Sequence, residues 1–130
     1  MNQPNSLTLA IVGHLVGDYL LQNDWMALHK KDPGPDGFFR CWTHCALWTT
    51  SVCLFSGWFG WRDPLRHECL LFAVLFAAHF AQDRTNVITW WMKKIGQAQF
   101  ATPPCAPWSI IVVDNVWHIV TLWAVWRFLA

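Results

Sequence analysis

Seven side chains of metal-ligand type recur at short, regular spacings: His14-x3-Asp18, His44, His79-x3-Asp83 and Asp114-x3-His118. Residues four apart on a helix lie on one face, one above the other, so each pair aims an imidazole and a carboxylate in the same direction. Groups of this kind move protons or hold divalent cations. Histidine nitrogen and aspartate oxygen together suit zinc, and also manganese or iron. Seven donors exceed one tetrahedral site. They fit two metals, or one metal with further aspartates holding the imidazole rings.

The elements that must position these groups read as long apolar helices. The chain has 130 residues, of which 55% are hydrophobic and only 13% charged, with 11 Trp and 9 Phe. A soluble domain of this size carries about twice that charge, so the excess apolar surface is expected to face lipid. The fold class expected is all-α: a polytopic membrane protein, a four-transmembrane-helix bundle in one domain, 1–130. Its spans are roughly 7–28, 38–59, 65–91 and 108–129. The breaks are the charged, Pro- and Gly-rich stretch 29–37, a turn at 60–64, and the segment 96–107 with its three prolines. Tryptophans cluster at both ends of the spans, with Trp25, Trp42, Trp90, Trp91 and Trp108 at one end and Trp58, Trp61, Trp123 and Trp126 at the other, as in the aromatic belts of membrane proteins. The spans alternate in direction, yet all seven ionisable groups fall about 8–21 Å from the long-loop end at the helical rise per residue. They form one layer.

An ionised carboxylate in hydrocarbon is costly unless paired, and a divalent cation neutralises several at once. Two other readings of the layer stay open. Neutral His and protonated Asp can bind helices to one another as polar glue, and Asp/His chains also serve as proton or ion relays. The remaining polar residues are less specific. Gly17 beside Asp18 lets helices approach closely. Arg84 either snorkels to the interface or grips a phosphate or carboxylate of a substrate. Lys30, Lys31, Lys93 and Lys94 read as topology signals near anionic lipid heads. His29 and His67 read as surface residues, and the five cysteines as small apolar filler. The net charge of +1, with no basic run, argues against a nucleic-acid partner.

The segment His14-Leu-Val-Gly-Asp-Tyr-Leu-Leu-Gln22, with Asp24-Trp-Met-Ala27 and Lys30, resembles the opening of a bacterial and phage membrane family known as domain of unknown function 3307. His44, the pair His79 and Asp83, and the pair Asp114 and His118 match the family's remaining short motifs, so the resemblance covers nearly the whole chain. It implies a bacterial inner (cytoplasmic) membrane location, multi-pass, and brings no activity with it. A looser similarity, in site chemistry only, is to membrane-embedded metal hydrolases such as alkaline ceramidases.

The function expected is a membrane-embedded, metal-dependent hydrolase acting on a lipid or lipid-linked substrate. The metal ligands would come from His14, Asp18, His79, Asp83, His118, Asp114 and His44, with Asp114 and His44 also moving protons and Arg84 on the substrate. The cofactor expected is a divalent metal, zinc before manganese or iron. The partners expected are the lipid bilayer, a lipid-like substrate and, given the small interior of four spans, a second copy in a homodimer. The alternative is a proton- or metal-conducting or interaction membrane protein whose polar layer is structural.

Overall fold

The computed structural model describes residues 6–57 and 65–129. The turn at 60–64, Trp58, Trp61 and the side chain of His67 lie outside the described residues. Six helices follow in order: α1 (Ser6–Tyr19), α2 (Asp24–Ala27), α3 (Pro35–Ser56), α4 (Leu65–Arg84), α5 (Val87–Lys94) and α6 (Trp108–Phe128). No strand occurs among the described residues, so the all-α reading stands.

The four-transmembrane-helix bundle does not stand. Among the described residues one helix, α6, is long and apolar enough to cross a membrane, with a mean hydropathy of 1.4. Each of the other expected spans fails for a local reason. The stretch 7–28 stops being helical at Tyr19, so α1 has 14 residues. That is about 21 Å of helix, against the roughly 30 Å of a hydrocarbon core. Asn23 enforces the break: its side-chain oxygen accepts the Met26 N–H at 3.1 Å and starts α2. The stretch 65–91 divides after Arg84. There the Thr85 hydroxyl shares the Ala81 carbonyl with its own backbone N–H, donating at 2.6 Å, and accepts the Val87 N–H at 3.3 Å, so that a side chain takes a bond the helix would have made. Helix α4 also holds Glu68, Asp83 and Arg84. Helix α3 is long enough at 22 residues, but Asp36, Arg40 and its hydroxyl residues leave it too polar.

The helices are held at two depths. Helices α1 and α3 run against each other most closely, through glycines. A Cβ on Gly13 would lie 2.8 Å from the Ser51 carbonyl oxygen and the Val52 Cα, and one on Gly17 would lie 2.8 Å from the Trp48 ring. The Ser51 hydroxyl adds a 2.8 Å bond to the Gly13 carbonyl. Helices α4 and α6 complete the bundle and pack on each other as well as on the first pair. At one depth an apolar core gathers Ala10, Trp48, Val52, Leu71, Leu75, Leu122 and Val125 from all four long helices. A second apolar cluster joins α5 to the start of α6 through Ile88, Met92, Trp91, Ile110 and Trp117. Between these lies the polar layer.

Candidate metal centre

Because α1 and α4 run toward the 20–34 connection and the 85–107 region while α3 and α6 run away from them, donors late in the first two helices meet donors early in the other two. The four imidazoles of His14, His44, His79 and His118 are all at most 2% exposed. Asp83 sits among them with its side chain 2% exposed, while Asp18 and Asp114 lie at the edge with 14% and 27%. All seven residues singled out by the sequence are thus brought into one cluster.

Two sets of three donor atoms share the Nε2 atoms of His44 and His79: Asp18 Oδ1 completes one and Asp83 Oδ2 the other. The His44 nitrogen lies 3.0 Å from that of His79, 3.3 Å from Asp18 and 3.0 Å from Asp83. The His79 nitrogen lies 3.7 Å from Asp18 and 3.5 Å from Asp83. A tetrahedral zinc ion with bonds of about 2.0–2.1 Å has donor–donor edges of about 3.3–3.4 Å. The five separations that involve an imidazole scatter around that edge. In the absence of a cation one ring N–H bonds the other ring's lone pair or a carboxylate; a cation among them would use those lone pairs instead.

A second set adjoins the first through the same carboxylate. His118 Nε2 lies 3.3 Å from Asp114 Oδ2 and 3.6 Å from Asp83 Oδ1. The two oxygens of Asp83 therefore face two different groups of donors. His79 also joins them, its Nδ1 standing 3.2 Å from His118 Nδ1.

The partners around the donors fix their orientation. Trp48 stacks on His79 with ring centroids 3.9 Å apart and donates its indole N–H to His14 Nδ1 at 2.9 Å. His14 lies behind Asp18, 3.1 Å from the oxygen that does not face the His44–His79 pair. Lys30, from the connection after α2, reaches in. Its ammonium lies 2.6 Å from Asp83 Oδ2 and 3.2 Å from Gln22. Arg84 donates to the Lys30 backbone carbonyl at 3.1 Å and so steadies the segment that delivers the lysine.

The electrostatics follow from this crowding. Burial works against the Asp18 carboxylate, but bonds from His14 and His44 outweigh it and hold the group well below the usual carboxylate range. Burial likewise disfavours a charged Lys30, and Asp83 overrides it, raising the ammonium's pKa. His44 is raised against burial by its bonds to Asp18 and Asp83. His79 is pushed down chiefly by burial, which favours the neutral ring that binds metals.

The cluster borders open space beside its carboxylates. A cavity of about 170 Å³ lies against Asp18, Asp83 and Asp114, walled by Tyr19, Lys30 and Asn115. On the opposite side Trp48 and the apolar core close it. Three contributors escaped the sequence reading: Lys30, taken as a topology signal; Trp48, one of many tryptophans; and Cys45, taken as filler, whose sulfur lies within 4.8 Å of donors on His79 and Asp83. The lysine's place beside Gln22 in the resemblance was the one signal available for it.

A family model described as "Protein of unknown function (DUF3307)" matches residues 6–130. No curated protein and no solved structure matches the chain. The chain belongs to the DUF3307 family.

Proposed function

We propose that this DUF3307 member is a membrane-associated, metal-dependent hydrolase acting on a lipid or lipid-linked substrate, with a divalent cation held by Asp18, His44, His79 and Asp83. The observation that carries the reading is the spacing of the His44 and His79 nitrogens from each other and from Asp18 and Asp83, 3.0–3.7 Å, beside a cavity. Zinc suits the mixed nitrogen and oxygen set, and manganese or iron also fit it. The ion would lower the pKa of a bound water toward neutrality and polarise the scissile carbonyl or phosphoryl oxygen. Asp114, at the cavity wall, would take up the proton such a water loses as its oxygen bonds to the carbonyl carbon or phosphorus, and would return that proton to the departing oxygen or nitrogen as the bond to the leaving group breaks. Lys30 stands where it can meet an anionic part of the substrate.

Membrane association is supported by α6. Its Val112, Val116, Val120 and Trp123 are about half exposed and lie along one side, so the span-length helix presents an apolar face outward. The inner membrane of a bacterium is the expected location.

A second reading, a proton- or metal-conducting bundle, draws on the His44–His79–His118 chain of ring contacts at 3.0 and 3.2 Å. The fully buried Val52, Leu75 and Leu122 beyond Trp48 count against a continuous path.

The test is elemental analysis of detergent-purified protein, with a screen of lipid esters, amides and phosphates. The hydrolase reading expects bound metal, loss of metal in Asp18→Asn while the helical circular dichroism persists, and turnover that a chelator abolishes. Equal metal content in the variant and the parent protein sinks it.

A further inference from the structure

The proposed centre uses one oxygen of Asp83. The other faces a second group of donors, and that group has its own ligands and its own opening. His118 Nε2 is 3.3 Å from Asp114 Oδ2 and 3.6 Å from Asp83 Oδ1, again close to the edges expected of a bound transition-metal ion. Ligand atoms of Asp83, Asp114 and His118 lie within 4.8 Å of one another. Three protein donors with a free position is the arrangement of a catalytic metal site, not a closed structural one.

A further observation points the same way. Asp83 and Asp114 both line the 170 Å³ cavity, so the free positions of such an ion have room for water.

We infer that Asp114, His118 and Asp83 Oδ1 form a second divalent-cation site, so that the protein holds a pair of ions bridged by the Asp83 carboxylate. This rests on the hydrolase reading for its chemistry, but the site itself stands on geometry. A pair of ions clamps both the attacking and the leaving oxygen of a displacement, which a single ion cannot do. Asp114 ligates through one oxygen and keeps the other for the proton. The charge balance also narrows the substrate. Two divalent ions and the Lys30 ammonium exceed the charge of Asp18, Asp83 and Asp114 by two. A bound hydroxide and one anionic group, such as the phosphate of a lipid-linked phosphoester, offset that excess.

The experiment strips the detergent-purified full chain with a chelator and titrates it with zinc, then with manganese, each as the free ion. Two zinc equivalents per chain are expected, falling to one in Asp114→Asn and in His118→Gln. Two manganese ions sharing a carboxylate are expected to give an exchange-coupled paramagnetic resonance spectrum in place of the six-line signal of isolated ions. One zinc equivalent in the parent protein overturns the second site and leaves the hydrolase reading intact; none overturns both. Two equivalents with an uncoupled manganese spectrum overturn the bridge. The count on the parent protein needs no variant to fold, and melting curves identify any variant that does not.

Discussion

The same four long helices build two layers of opposite character. At the depth of Val52, Leu75 and Leu122 every side chain is satisfied by packing, and burying each such group contributes about 1.5–3 kcal/mol. One or two turns away, at the depth of His44, His79 and Asp83, the helices bury imidazoles and carboxylates whose desolvation works against folding. The apolar layer holds the bundle; the polar layer is held by it. A protein that needed only to fold would have continued the first layer through the second. Trp48 stands at the boundary and belongs to both, with one face in the core and its indole N–H on His14.

The contrast breaks most sharply at Leu75, which is fully buried in the apolar layer. Leu75→Ala should cost about 2–5 kcal/mol of stability, read by chemical denaturation, while zinc affinity per folded molecule stays at the parent value. If affinity falls in proportion to stability, the two layers are not separable. Metal acts only on the other layer. Chelating the ion from protein kept at 100 times its dissociation constant should remove about 2.7 kcal/mol, read as a fall in melting temperature. The same treatment of Asp18→Asn should leave its melting temperature unchanged.

The smallest expected effect is that of acid on the metal-free chain. The depressed Asp18 carboxyl adds stability that is fully present above the ordinary aspartate value of 3.8 and is lost as the pH falls below it toward the folded-state value. Lys30, raised by Asp83, contributes below its ordinary 10.5 and loses that contribution only as the pH rises through the raised value. His79, pushed down by burial, adds a loss that begins as the pH falls below its ordinary 6.5, opposed by the raised His44. The Asp18 share should go below about pH 4, whereas the Leu75→Ala penalty should be the same at every pH.

The donor set was legible in the sequence because two simple periodicities carry it: four residues for a turn of helix, and alternating chain direction for shared depth. Those rules located His14, Asp18, His44, His79, Asp83, Asp114 and His118 in one layer without knowing the helix packing. The span boundaries were less legible. Hydrophobicity summed over 7–28 hides a break made by one side chain, Asn23, and the same is true of Thr85 within 65–91. Lys30 was illegible for another reason. It lies 53 residues from Asp83 and comes from a connection whose path depends on those breaks. A charge next to Pro and Gly reads as solvated until the fold shows where the segment turns.

Gly13 and Gly17 each precede a donor by one residue, so docking notch and chelating arm repeat on the same turn of α1. Slipping the helix by a single residue would swing His14 and Asp18 about 100° off their targets while lifting both notches from α3. Tolerance to insertion between Gly13 and Asp18 should accordingly be near zero, and any lineage that lengthens this helix must do so ahead of the first notch.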